Sequence, residues 1–394
     1  MRPELHELLV KWRLREKTFE RDVEEGILPH ISNQHAIFLT GPRRSGKSVV
    51  ARHLLERLPG RIQTRYVNLE DPALIDALTL KTMDDFAEGL RATDCIVFDE
   101  VQLIPGWEKW VRRAVDTRQC KVIVAGSSAK LLSGEFSTAL GGRGIGFQIL
   151  PLSYKEFHRV TRRGLMEYIK IGGYPEVVLD PDKKEKLLES YFETALVKDI
   201  MSRYNVRDSN ALRSLAFYLL THAGKETSLK QLRSLTGLGY ATIRRFIGYL
   251  EASFLIFQVP YFSYSLKESL TRKRKVYAYD LGMQQYASKS FSEDTGRLLE
   301  AAVAIELKHR QFEVYYWKMR QEVDFISRKK NDIQPINVCS AEHLPEREKR
   351  GLVEFCTAKK VSRARILYTG THSTVEASGI TISLENIEQW LLNE

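Results

Sequence analysis

The chain has 394 residues, 43% hydrophobic and 28% charged, with a formal net charge of +10. That length accommodates roughly two to four domains with cores of their own, and no apolar run approaches the ~20 residues that cross a bilayer. Membrane-spanning classes are set aside. The opening Met1-Arg2-Pro3-Glu4-Leu5-His6-Glu7 lacks the apolar stretch of a signal peptide, and Cys95, Cys120, Cys339 and Cys356 show no zinc or redox spacing. A cytoplasmic protein with reduced core thiols is expected. Residues 1–30, charged at Arg15-Glu16-Lys17 and Glu24-Glu25, read as a mostly helical arm.

The apolar run Ala36-Ile37-Phe38-Leu39-Thr40 reads as a buried strand, and a helix is expected from Lys47 to Leu58. Between them lies Gly41-Pro42-Arg43-Arg44-Ser45-Gly46-Lys47-Ser48, a complete phosphate-binding loop in the strand–loop–helix setting that its chemistry needs. Loop amides, continuing to Val49, would cradle phosphates. Lys47 would neutralise the β- and γ-phosphates, and the Ser48 hydroxyl would hold Mg²⁺. Fifty-two residues beyond Lys47, the strand Cys95-Ile96-Val97-Phe98 ends in Asp99-Glu100. Asp99 would bind the Mg²⁺ through water, and Glu100 would act as general base or orient the attacking water. A further strand, Lys121 to Ala125, ends in Gly126-Ser127-Ser128, where Ser127 or Ser128 would sense the γ-phosphate. Arg143, among glycines before a strand at Phe147–Leu150, is a candidate for stabilising transferred charge, in cis or from a neighbouring subunit.

These segments, with Pro105-Gly106-Trp107, Gly172-Gly173-Tyr174-Pro175-Glu176, Lys198-Asp199-Ile200 and Arg203-Tyr204-Asn205-Val206-Arg207-Asp208, resemble the prokaryotic AAA-type ATPases that carry a C-terminal domain of unknown function 4143. The resemblance spans nearly the whole chain. It implies an α/β protein: a P-loop parallel-sheet ATPase core, a helical segment, a winged-helix-like module and a restriction-endonuclease-like C-terminal domain. It also implies ATP as the nucleotide and a phosphate-sensing or finger role for Arg143. The expected boundaries are 1–30 for the arm, 31–150 for the core, 151–220 for a helical lid, 221–285 for the winged-helix-like module and 286–394 for the last domain.

Between Lys225 and Lys275 there are ten Lys/Arg against three Asp/Glu, so most of the net charge gathers there. Ser228 would cap one helix, Thr236-Gly237-Leu238-Gly239 would turn, and a second helix would bury Ile243, Phe246, Ile247 and Leu250 while Arg244 and Arg245 face out. The Arg272-Lys273-Arg274-Lys275 run would sit near a wing. Such a face suits phosphate contacts along a nucleic acid, with DNA as the expected partner.

Restriction-type nucleases place one acid on a helix, an Asp on a second strand and Glu-x-Lys on a third, to hold Mg²⁺ and steady the attacking group. Glu300 and Asp324 match the first two positions, but Asn337-Val338-Cys339 stands in place of Glu-x-Lys. Asn337 offers a neutral oxygen and Cys339 no positive charge, and only Lys308 suggests itself as a substitute. The expectation is a nuclease fold without nuclease activity. Overall the sequence reads as a Mg²⁺-dependent ATPase coupled to DNA, free to form a homo-oligomer. The alternatives are an ATP-dependent signalling or scaffold switch and a metal-dependent nuclease.

Overall fold

The computed structural model describes residues 18–127, 140–288, 295–341 and 345–393; Ser128 and most of the expected N-terminal arm lie outside the described residues. The chain forms two compact units, residues 1–150 and 151–394.

In the first unit, α1 (Asp22–Ile27) precedes β1 (Ala36–Thr40), α2 (Lys47–Glu56), β2 (Thr64–Asn68), α3 (Leu80–Ala87), β3 (Cys95–Asp99), α4 (Trp107–Asp116), β4 (Lys121–Gly126) and β5 (Gly144–Gln148). The strands make one parallel sheet in the order β2-β3-β4-β1-β5. Strands β1, β3 and β4 are buried along their whole length, which is why they read as continuous apolar runs rather than alternating ones. Their side chains still alternate between faces. Phe38, Phe98 and Val124 pack with Trp107 and Trp110 on one side, and Ile37, Leu39 and Ile123 pack with Val50 and Leu54 of α2 on the other. Strand β5 begins earlier than the expected Phe147, at Gly144, where pairing with Ala36 starts; Gly144-Ile145-Gly146 carries no apolar run to reveal it.

The second unit opens with helices α5 (Tyr154–Thr161), α6 (Leu165–Ile171), α7 (Pro175–Leu179) and α8 (Lys184–Thr194), the last continuing into a π-helix over Ala195–Ser202. Next come α9 (Ser209–Thr221), β6 (Glu226–Thr227), α10 (Leu229–Thr236), α11 (Tyr240–Ala252), β7 (Ile256–Val259), α12 (Leu266–Thr271), β8 (Arg274–Ala278) and α13 (Leu281–Ser288). Ser228 caps α10 through a reciprocal box with Gln231, and Gly237 ends it in a left-handed turn. Helix α11 buries Ile243, Phe246, Ile247 and Leu250, and β6-β8-β7 form a small antiparallel sheet beside this helix pair. The final elements are α14 (Thr295–His309), β9 (Glu313–Lys318), β10 (Glu322–Lys329), β11 (Asp332–Cys339), α15 (Glu346–Lys359), β12 (Arg363–Tyr368), β13 (Ser373–Ala377), β14 (Ile380–Asn386) and α16 (Ile387–Leu392). They build a mixed six-stranded sheet ordered β13-β14-β12-β11-β10-β9.

A buried carboxylate fixes the helical part of this unit. Asp280 Oδ2 accepts from the Gly173 amide at 2.6 Å and Oδ1 from the Met283 amide at 2.8 Å. Gly172, at φ +87°, has no room for a side chain, since a Cβ would lie 2.7 Å from Asp280 Oδ1. The Gly172-Gly173 pair is thus a cradle for Asp280 rather than a simple helix break. Burial pushes the Asp280 carboxyl up to about 6 against the pull of these amides. Because the folded-state value lies above the unfolded one, this group favours folding fully below pH ~4, and the benefit is lost as pH rises through about 6. An Asp280→Asn variant places an NH₂ against a backbone donor and is expected to be less stable throughout. In parallel denaturant titrations the gap to wild type should narrow by about 2 kcal/mol between pH 4.5 and 7; a gap independent of pH would refute this account of Asp280.

Candidate nucleotide site

Strand β1 delivers the chain into the phosphate loop at Gly41, where a Cβ would meet the Ile149 carbonyl oxygen at 2.0 Å. Only glycine passes so close to the exit of β5. Arg44 (φ 65°) and Gly46 (φ 99°) take left-handed conformations that curl the loop. From beneath, the buried Arg21 guanidinium donates to the Ser45 carbonyl at 2.9 Å and the Leu150 carbonyl at 2.8 Å, tying α1's entry to loop and sheet. Lys47 opens α2 and donates through Nζ to the carbonyls of Gly41 (3.1 Å) and Pro42 (2.8 Å). Ser45 Oγ is fully buried and, among the described residues, has no hydrogen-bond partner.

Parallel pairing sets Asn68 level with Asp99 and Asp99 level with Ala125, so β2, β3 and β4 end beside the loop. Asp99 Oδ2 accepts from Ser48 Oγ at 2.5 Å and from the Tyr66 hydroxyl at 2.5 Å, and its Oδ1 accepts from the Glu100 amide at 3.0 Å. Burial, with Asp99 alongside, holds the Tyr66 hydroxyl well above the ordinary phenol range, so it stays a donor. Glu100 sits at φ 55°, a left-handed conformation that a glutamate adopts only where its surroundings impose it. Burial raises its carboxyl above the ordinary value, against the pull of Lys47. Its side chain accepts from Gln102 Nε2 and stands 4.0 Å from Arg43, which pairs with Glu70 at 2.9 Å. Ser127 is fully buried at the tip of β4, next to the start of the loop by the Thr40–Gly126 register.

The site therefore gathers Gly41 to Ser48, Val49, Asp99, Glu100 and Ser127. It does not gather Arg143, whose carbonyl accepts from the Ala36 amide at the opposite end of β1. Four strand steps, about 13 Å, separate that level from Thr40, and Arg143 Nε is held at 2.5 Å by Asp116 Oδ1. Tyr66 and Arg21 were not picked out by motif; only the parallel register and a contact between distant segments bring them in.

In the second unit, Arg244 and Arg245 are exposed on α11 as the helical period requires. Arg244 lines a groove of about 560 Å³ with Arg272, Lys273 and Arg274. Arg272 pairs with Glu268 at 3.1 Å and Lys273 with Glu226 at 3.7 Å. Lys275, expected to face phosphates, is 2% exposed and turned inward, because strand alternation sends it to the face that packs on the C-terminal sheet. There it meets Glu300 and Asp324. Asn337 is spent on structure: its Oδ1 accepts from the Asp324 amide at 3.1 Å and its Nδ2 donates to Glu348 Oε2 at 2.9 Å. Cys339 is buried, and burial raises its thiol. Lys308 points elsewhere, over the Phe257 ring at 5.5 Å. Among the described residues, no helix is long and apolar enough to cross a membrane.

Residues 33–158 match the family described as AAA domain, residues 162–294 a domain of unknown function (DUF8612) and residues 295–387 a domain of unknown function (DUF4143). The uncharacterized protein MJ1544 of Methanocaldococcus jannaschii is 31% identical over 340 residues, covering 79% of this chain and 75% of its own length. An uncharacterized protein of Haemophilus influenzae is 29% identical over 384 residues, 90% of this chain and 93% of that one. Among solved structures, AMPPCP-bound DnaA from Aquifex aeolicus aligns with a TM-score of 0.31 at 16% identity, over 58% of this chain and 86% of that chain. Aeropyrum pernix ORC1 in complex with DNA aligns with a TM-score of 0.30 at 13% identity, over 68% and 90%. The order of matched regions, the parallel sheet with its phosphate loop, and the likeness to MJ1544 along three quarters of that protein place the chain in the family of AAA-type P-loop ATPases that end in a DUF4143 domain.

Proposed function

We propose that the protein hydrolyses ATP with Mg²⁺ and couples its nucleotide state to a grip on DNA. The observation that carries the hydrolytic part is the alignment of Ser48 Oγ on Asp99 Oδ2 beside a strained, burial-raised Glu100. Two hard oxygens side by side suit Mg²⁺, and the orphaned Ser45 Oγ with the curled loop suits phosphate oxygens. When bound, Mg²⁺ would supply charge neutralisation on the phosphates. Lys47 would balance the β/γ-phosphate charge, Ser48 and Asp99 would hold the metal, Ser127 would sense the γ-phosphate, and Glu100 would take a proton from the attacking water. Tyr66 would keep Asp99 aimed.

Lys47→Ala is expected to abolish nucleotide binding, whereas Glu100→Gln should keep binding and lower turnover about 100-fold or more; equal loss of binding in both would overturn the assigned roles. Tyr66→Phe should raise the Mg²⁺ concentration giving half-maximal turnover about tenfold with a smaller effect at saturating Mg²⁺, a split that a Mg²⁺ titration reads directly.

For Arg143, four strand steps from its own loop, the reading is a finger for a neighbouring copy. Mixing Lys47→Ala with Arg143→Ala protein, each inactive alone, should restore about a quarter of wild-type turnover through random pairing of intact half-sites. No recovery would retire the trans role.

The DNA part rests on the outward Arg244 and Arg245 beside the basic-walled groove. Turnover would be compared without nucleic acid and with duplex, single strands and a four-way junction. Stimulation by one form, falling steeply with salt and lost in Arg244→Glu/Arg245→Glu, is the expected outcome. A second reading has an observation in its favour: Leu235, Leu266 and Leu270 on the same module are more than half exposed, as a protein-docking face would be. Turnover indifferent to every DNA would favour that reading, an ATP-controlled switch for protein assembly.

A further inference from the structure

Lys275 and Tyr277 leave β8 on one face, two residues apart. Lys275 Nζ stands 2.8 Å from Glu300 Oε1 on α14 and 2.7 Å from Glu322 Oε1 on β10, with Asp324 Oδ1 at 3.9 Å. The Tyr277 hydroxyl donates to the same Glu300 oxygen. The Tyr316 ring centre lies 5.8 Å from the ammonium. Glu322 also holds Lys318 at 3.0 Å, and Lys318 reaches Glu226 at 2.8 Å.

Three carboxylates from a helix and a strand converge on one point. Half-buried like this they repel one another, and each is costly unless a cation meets it. Carboxylates gathered in this way ordinarily draw a hard divalent ion, but with the ammonium between them these three are not placed to hold one. Here the point of convergence is filled by an ammonium, a compact charge with three donors, carried in on a strand from another part of the unit. Among the described residues no group of three or more His, Cys, Asp or Glu is arranged to hold a metal. Asn337 cannot complete such a set, because both ends of its amide are already engaged.

We propose that Lys275 is the built-in cation of this acid cluster: it fills the position to which a divalent metal would be drawn, closes the C-terminal sheet to metal ions, and pins β8 to that sheet. The inference is independent of the ATPase reading. It explains why the Glu-x-Lys position on β11 holds no lysine: the positive charge arrives from β8. It also implies that removing the lysine opens a metal site that the native chain lacks.

The test uses the full chain with Asp99→Asn throughout, so that the nucleotide site adds no metal binding, and compares Lys275, Lys275→Met and Lys275→Arg by thermal melting with and without 1 mM Mn²⁺. The expected result is a Tm unmoved by Mn²⁺ for Lys275 and Lys275→Arg. Lys275→Met should melt lower and gain about 5 °C or more with Mn²⁺, a gain removed by adding Asp324→Asn. A Mn²⁺-dependent rise with Lys275 in place, or none in Lys275→Met, overturns the proposal. Should Lys275→Met not fold, the charge-balanced Lys275→Met/Glu322→Gln should recover folding; failure of that pair to improve on the single variant overturns it equally.

Discussion

The carbonyl of Ile149 passes where a side chain on Gly41 would have to sit, and this close approach ties the phosphate loop to the exit of β5. The Ile149 amide donates to the Thr40 carbonyl at 2.6 Å, so the last residue of β1 and the first beyond β5 are joined just before the loop begins. Arg21 bonds the adjoining Leu150 carbonyl and the Ser45 carbonyl with one guanidinium. The loop is thus anchored at its start and its middle by groups that do not face a nucleotide. Its amides and Lys47 then point into a frame that is already rigid, so little order remains to be imposed when phosphate arrives.

Three buried charges are handled in a related way: each is met by two or more polar partners, at least one of them distant in the chain. Lys121 donates to the carbonyls of His30, Asn33 and His35, and burial lowers its ammonium to about 8. Asp280 takes amides from Gly173 and Met283. Lys275 takes carboxylates, and although burial opposes its charge, the surrounding acids outweigh that and hold its ammonium well above the ordinary value. Carbonyls stabilise a cation weakly and carboxylates strongly, so Lys121 and Lys275, both lysines in strands, end up shifted in opposite directions.

This pattern explains what could be read from the residues alone. Runs such as Ala36–Thr40 and Cys95–Asp99 are legible because a strand buried on both faces is apolar throughout, and the Ser228 cap and the Ile243–Leu250 period are legible because a helix writes its geometry within a few residues. The loop and Asp99-Glu100 are legible because their chemistry demands local spacing. Tyr66, Arg21, Asp280 and Lys275 are not, because each acts on a partner 25 to 129 residues away. Lys275 is the instructive case. In the sequence it is the fourth member of a basic run, and nothing local separates it from Arg274; only the alternation of β8, once its packed face is known, turns Lys275 inward and its neighbour Arg274 to the other face.

The same accounting changes what the local excess of positive charge means. Of the four residues in that run, Lys275 is consumed by Glu300 and Glu322, Lys273 leans on Glu226 and Arg272 on Glu268. Three of the four are thus answered by acids within the fold, whereas Arg274 donates to the neutral Gln258 amide oxygen at 3.4 Å. Arg244 and Arg245 differ: they stand one after the other on the outward side of α11, and Arg245's bond is to the neutral Thr242 hydroxyl at 3.4 Å. A polyanion approaching the module would therefore meet a helix with uncompensated charge flanked by a basic wall whose charge is partly answered. That distribution favours a contact made along one helix over a broad electrostatic seat, and it makes the proposed DNA grip depend on how α11 is presented rather than on the net charge of the chain.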